Sequence, residues 1–255
     1  MNRRNVLTAA LIALALPAAA QNKLDINALK AQGAPALLEA LDKKHNDYPT
    51  QKWEFKMTLK PVSGGTREFK FSVWQKNRKN RLVRFSDPGE VKGMSVLIVN
   101  ANEMYVFTPQ TDNVRRVAAS ARRQSFMGSD LGFDDMAQID LGKDYDAAIT
   151  TDDAKSLWLE LKRKAGSDAG WEKMRLEVDK GLGLITTLEY WESGKPKKKQ
   201  SRKNVKWDGG APTFGEITIE DLGTKHRTVL ETLTQKIGEA IPDSVFSKRS
   251  LVRGN

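Results

Sequence analysis

Two arginine pairs, Arg115-Arg116 and Arg122-Arg123, precede Phe126-Met127-Gly128-Ser129-Asp130 and then the carboxylates Asp134, Asp135 and Asp140. Residues 114–136, which contain all of these but Asp140, hold the densest set of groups able to do chemistry. The guanidinium groups could grip an anion through charge-assisted hydrogen bonds. The carboxylates could hold a hard cation, and Ser129 could serve as a nucleophile beside a base. A further role needs no chemistry: the stretch could be a mobile cover over something apolar.

The catalytic and metal readings fare badly. No Gly-x-Ser-x-Gly elbow surrounds Ser129, and the chain's two histidines, His45 and His226, sit in no motif. The aspartates do not follow the spacing of a calcium loop, and no glycine stands where its sharp turn needs one. The simpler expectation is that Ser129 or Asp130 caps a turn and Asp134 opens a short helix, whose N-terminus favours carboxylates. We therefore expect no enzyme, no metal site and no cofactor. Nucleic acid is not expected either. The tryptophans, Trp53, Trp158, Trp171 and Trp191 among them, fall in strand-like runs, away from the basic residues that base stacking would need beside them.

The N-terminus points to export. Asn2-Arg3-Arg4, the apolar stretch Val6 to Leu16 and Ala18-Ala19-Ala20 have the layout of a signal peptide cleaved near Ala20. The apolar stretch is shorter than the ~20 residues that span a bilayer, and Gln21 is not the cysteine of a lipid-anchored protein. Removing 20 of the 255 residues leaves 235, and the net charge of +10 falls to +8 with the loss of Arg3 and Arg4. Such a surplus favours anionic partners. With no cysteine, the exported chain has no disulfides and depends on its core.

The elements that must position these groups are mostly strands. Residues 34–47 read as a helix with Leu37, Leu38 and Leu41 on one face. After it the period changes to two: Trp53, Phe55, Met57 and Leu59 alternate with Glu54, Lys56 and Thr58, and Phe69, Phe71 and Val73 follow a Ser-Gly-Gly turn. Similar runs occupy 81–86, 95–100, 103–109, 156–164, 171–179, 184–192, 202–208, 214–221 and 226–235. Roughly a dozen strands in one antiparallel sheet must curl or split. The expected fold is mainly β: a curled antiparallel sheet forming an incomplete β-barrel, in a single domain over 21–255. Trp53, Phe55, Met57, Phe69, Phe71, Val73, Val83 and Phe85 would line its apolar inner face. Segment 114–136 would be its lid, and the charge run Lys195 to Lys203 a solvated hairpin tip.

Phe85-Ser86-Asp87-Pro88, Lys92-Gly93, Val96-Leu97-Ile98, "MYVFTP", "VRRV" and the closing Ile241-Pro242-Asp243-Ser244-Val245-Phe246-Ser247 resemble the LolA-like outer-membrane lipoprotein-sorting proteins. Arg115-Arg116 followed by Phe126-Met127-Gly128-Ser129-Asp130 and Asp134-Asp135 is similar to one branch of that group. The resemblance implies an incomplete barrel with helices over its mouth, in the periplasm, carrying lipoprotein acyl chains toward the outer membrane. The arginine that locks the lid of the principal carriers matches no single residue here. Expected partners are lipoprotein acyl chains or another lipid, an inner-membrane exporter, an outer-membrane acceptor and transient contact with a membrane surface, with the protein a monomer. Arg115, Arg116, Arg122 and Arg123 would contact the anionic part of the cargo or the docking partner. The alternative is a non-enzymatic periplasmic adaptor that docks on a membrane exporter and carries no lipid.

Overall fold

The computed structural model describes residues 23–253 apart from residues 101, 138, 139 and 209. The signal-peptide reading of residues 1–20 lies outside them. Asp25 opens α1 (Ile26–Ala31) by accepting from the Ala28 amide at 3.0 Å, so a capping carboxylate satisfies a donor that the first turn leaves free. Helix α2 (Ala34–Asn46) has proline in its first turn and Lys43, Lys44 and His45 in its last, with Leu37, Leu38, Leu41 and Asp42 buried. It starts where the expected helix, residues 34–47, starts and ends one residue earlier, with Asp47 as its C-cap.

Thirteen strands follow: β1 (Thr50–Lys60), β2 (Arg67–Lys76), β3 (Asn80–Asp87), β4 (Ser95–Asn100), β5 (Glu103–Thr108), β6 (Asn113–Arg116), β7 (Tyr145–Asp152), β8 (Ser156–Arg163), β9 (Lys173–Asp179), β10 (Leu184–Glu192), β11 (Lys195–Asp208), β12 (Ala211–Asp221) and β13 (Arg227–Ile237). They form one antiparallel sheet in the order β6-β5-β4-β3-β2-β1-β13-β12-β11-β10-β9-β8-β7. Every neighbouring pair is consecutive in the chain except β1 and β13. The two halves are therefore meanders of local hairpins joined by one long-range pairing. The sheet is open, and its free edges are β6 and β7.

Those two edges are the strands that alternation did not reveal. Three of the four β6 residues are exposed, and β7 offers only Tyr145, Ala147 and Ile149 on its inner side, with Thr and Asp making up the rest of its end. Edge strands are short or polar because a long apolar edge would recruit other chains. Residues 114–116 thus belong to the sheet and not to a lid. The cover begins after them and runs through a 3-10 turn (Ala119–Ala121), α3 (Phe133–Ala137) and α4 (Leu141–Asp144) to the opposite edge. Asn102, in the β4–β5 turn, donates to Asp168 beyond β8 at 3.2 Å, linking the two flanks.

A second correction concerns Lys195 to Lys203. This run is the first part of β11, 14 residues long, and Lys198 and Gln200 within it are buried. Alternation alone sends every second charged side chain inward.

Among the described residues, three apolar clusters hold the fold. Helices α1 and α2 cover the concave side of β7–β10, packing Leu37, Leu38 and Leu41 against Leu157, Leu159, Leu161, Leu176 and Val178. A second cluster joins β1–β5 with Phe126 of the cover. The third lies on the convex side, where Ile241, Val245 and Leu251 of the C-terminal segment, ending in α5 (Lys248–Arg253), cover Leu82, Leu97 and Phe107. Arg84 fastens that segment by donating to the Ser250 carbonyl at 2.5 Å. Each fully buried leucine contributes about 1.5–3 kcal/mol.

Candidate functional site

Strands β1, β2 and β3 stay in register where it matters. Trp53 faces Val73, Phe55 faces Phe71, and Met57 faces Phe69 across β1 and β2. Val73 faces Val83 and Phe71 faces Phe85 across β2 and β3. Bulges at Glu54/Phe55 toward β13 and at Lys70/Phe71 toward β3 do not turn these side chains outward. They enclose a cavity of about 270 Å³ lined by Trp53, Phe55, Met57, Phe71, Val73, Val83 and Phe85, among others. Seven of the eight residues expected on the inner face thus line it. The eighth, Phe69, is fully buried in the wall, edge-on to Phe85 with ring centroids 6.1 Å apart.

The aromatic rings continue from wall to cover. Phe55 and Phe71 lie 5.4 Å apart, Phe71 and Phe85 5.2 Å, Phe85 and Phe126 5.7 Å, and Phe126 and Phe133 5.1 Å. Such offset or edge-on pairs are worth about 0.5–1.5 kcal/mol each beyond their burial. Phe126 therefore anchors the cover in the cavity's own apolar lining. The chain reverses just after it, because Met127 (φ 58°) and Gly128 (φ 75°) both take left-handed backbone. Next, Ser129 closes the turn: its hydroxyl donates to the Phe126 carbonyl at 2.6 Å and accepts from the Leu131 amide at 3.2 Å. Asp130 joins the cover to β13. Its amide donates to the Thr228 hydroxyl at 2.8 Å, and its carboxylate accepts from that hydroxyl and stands 2.8 Å from His226 Nδ1.

Three further bonds fasten α3. Asp135 pairs with the buried Lys198 of β11, accepts from Trp171 Nε1 at 3.2 Å and accepts from the Gly132 amide at 2.7 Å. Lys198 Nζ itself lies 4.9 Å from the ring centres of both Trp171 and Tyr190. From the other side, Arg81 of β3 donates to the Met136 carbonyl. The sequence offered no one arginine for the part of a lid lock, and the structure puts Arg81 against the cover.

None of the four arginines of residues 114–136 is among the residues lining the cavity. Arg115 and Arg116 stand exposed on β6, with Arg116 donating to the Asn102 carbonyl at 3.1 Å. Arg122 is on the cover, where it donates to Asn102 Oδ1 at 2.7 Å and stands 3.9 Å from Asp134. Arg123 pairs with Glu192. Asp130, Asp134, Asp135 and Asp140 disperse to separate partners. Asp140 moves to a cluster with Glu39 and Asp42, where Arg78 lies 3.0 Å from Glu39, 3.2 Å from Asp140 and 4.0 Å from Asp42. The Arg78 guanidinium thus offsets part of that group's charge.

Much of the lining was not foreseen. The far wall is Ile185, Leu188 and Tyr190 of β10, Ile217 and Ile219 of β12, and Leu230 of β13. Period two in those strands marks the right residues, but it does not say which face the sheet encloses. Polar groups also line the cavity, among them Asp42, His45, Arg81, Asp135, Gln200 and Arg202. Burial, with help from Arg202 and Lys44, drops His45 to about 3, so its ring is neutral. Burial lifts Asp42 to about 7; Asp140 adds to the rise, while the Gly142 amide and Arg78 oppose it. Burial lowers Arg81 to about 10, which leaves it charged at neutral pH. Arg202 is lowered from its usual value by burial too.

No curated protein matches the chain. Three solved structures share its architecture. One is a DUF1329 family protein from Desulfovibrio piger (TM-score 0.79, 21% identity, 88% of this chain and 98% of that one). Another is a domain from Vibrio parahaemolyticus assigned to outer membrane lipoprotein sorting (0.77, 17%, 88% and 100%). The third is a LolA superfamily protein from Nitrosomonas europaea (0.71, 20%, 85% and 98%). At these identities the likeness is one of fold. A family model described as "Uncharacterized protein" matches residues 77–253, from the β2–β3 turn to the end of α5, so the chain belongs to that family and is built on the LolA-like fold.

Proposed function

We propose that this protein is a non-enzymatic periplasmic carrier that holds an acyl chain of a lipoprotein or another lipid in the cavity beneath its cover and moves it toward the outer membrane. The observation that carries this reading is the aromatic-lined cavity itself, closed by a segment of chain instead of by the sheet. At about 30 Å³ for a water-sized unit, 270 Å³ accommodates on the order of nine or ten methylenes. Their burial at about 0.8 kcal/mol each yields about 8 kcal/mol, enough to hold an insoluble chain in water. Opening the cover breaks the Arg81, Asp130 and Asp135 contacts and unseats Phe126, so release is coupled to a segment that can move separately from the sheet.

Exposed Arg115, Arg116 and Arg123 form a basic rim beside the cover, suited to an anionic membrane surface or to an exporter or acceptor with an acidic face. The rival reading, an adaptor without cargo, requires a concave face filled by its own side chains, and the cavity argues against it. Native mass spectrometry of protein purified from its own periplasm should find co-purified lipid or acylated protein. Clean protein that also fails to take up a fluorescent fatty acid would overturn the carrier reading.

A further inference from the structure

One end of the cavity is unlike the rest. Near the C-terminal end of α2, the His45 ring stacks on Phe214 with centroids 5.8 Å apart, and its Nε2 is shut off from solvent with no hydrogen-bond partner among the described residues. Arg202 of β11 lies over the same Phe214, 5.4 Å from the ring centre. With the Gln200 amide turned so that its nitrogen faces the Tyr190 hydroxyl, its oxygen accepts from Arg202 Nε at 2.8 Å and Nη2 at 3.0 Å. Arg81 donates to Gln75 Oε1 from Nε at 3.1 Å and Nη2 at 2.6 Å. The Gln75 amide in turn donates to the Asn46 carbonyl, the residue after His45, at 3.3 Å.

Both guanidinium groups therefore line an apolar cavity with neutral partners only. Among the described residues neither has a carboxylate within ion-pairing distance. The two carboxylates of the lining do not compensate them: Asp135 is taken by Lys198, Trp171 and Gly132, and Asp42 faces Gly142 and Arg78. A guanidinium offers five N–H donors, more than these neutral acceptors use. Charge placed in a low-dielectric site without a counter-charge is costly, so the arrangement is suited to receiving one from outside.

We propose that Arg81, Arg202 and His45 form an anion subsite inside the cavity, and that the cargo is an acyl amphiphile whose carboxylate or phosphate head seats there while its chain lies along Phe55, Phe71 and Phe85. This rests on the carrier reading and narrows it, because the acyl groups of a lipoprotein, bound as esters and amides, carry no such charge. The head is held by Arg202 and Arg81 through charge-assisted hydrogen bonds, and the neutral His45 ring supplies a donor from Nε2.

The test uses the purified full chain and a neutral naphthylamine probe whose fluorescence rises in apolar surroundings. Displacement is measured with dodecanoate, dodecyl phosphate, dodecanol and dodecyltrimethylammonium, all below their micelle concentrations. One of the two anions should bind about tenfold or more tighter than dodecanol, the worth of a single hydrogen bond to a charged group, and the ammonium most weakly. Which anion leads tells a fatty acid from a phosphate-headed lipid. Arg202→Gln should bring the anion-to-dodecanol affinity ratio down toward one. If that variant does not fold, the ratio in the unaltered protein decides alone. Equal binding of dodecanol and both anions would overturn the subsite and leave the carrier standing. No binding of the probe or of any of the four would overturn both.

Discussion

Replacing Asp135 by alanine should destabilise the closed protein by about 3–5 kcal/mol, the cost of leaving one member of a buried ion pair without its partner. Both side chains are nearly shut off from solvent, at 10% exposure for Lys198 and 5% for Asp135. Lys198 would retain the ring faces of Trp171 and Tyr190 and the Asp130 carbonyl at 3.2 Å, which together are poor compensation for a carboxylate. The Gly132 amide and Trp171 Nε1 would also lose their acceptor. Because these bonds fasten α3, hydrogen exchange should quicken first over residues 122–137, before the sheet is affected. Uptake of a fluorescent fatty acid should become faster as well. Adding Lys198→Met should restore much of the lost stability, since a matched apolar side chain removes the stranded charge. Unchanged exchange over the cover in Asp135→Ala would show that this pair does not hold it shut.

Phe85→Ala should cost the whole domain about 3–5 kcal/mol in urea unfolding, as truncation of a buried phenylalanine does. Phe85 is 3% exposed and touches three other rings: Phe69, Phe71 and Phe126. Its loss therefore removes the step that links the sheet to the cover. It also widens the cavity at its most apolar point, so retention of a bound acyl chain should weaken even where the protein stays folded. Val62, 74% exposed in the β1–β2 turn, is the matching control: Val62→Ala should stay within about 0.5 kcal/mol of the parent. Equal effects of the two substitutions would mean that the ring ladder does not carry the stability assigned to it.

Much of this architecture is legible in the order of residues. Leucines 37, 38 and 41 mark α2 because three- and four-residue spacing returns side chains to one helix face. The runs around Trp53, Phe71 and Phe85 name their inner face because strands alternate and antiparallel hairpins keep register. What alternation cannot supply is the long-range pairing of β1 with β13, which turns two meanders into one wall around a shared cavity. It also misleads where charge points inward. Lys198, Gln200 and Arg202 sit in a run so basic that solvation is the natural expectation, yet period two carries these three inside. Arg81 was equally hidden, since its meaning depends on Met136, 55 positions further on. The arginine pairs of residues 114–136 lie outside the cavity, on the edge strand and the cover. There, charge is cheap to expose and marks a rim more readily than a pocket.

The most direct test of the account is where a bound chain touches the protein. A fatty acid bearing a diazirine near its terminal methyl, irradiated with the purified protein and followed by peptide mass spectrometry, should mark Phe55, Phe71, Val83 or Phe85 on the inner face of β1–β3. Labels confined to the outer-face residues Trp74 and Leu97, or spread over the surface without saturation, would contradict a chain held beneath the cover.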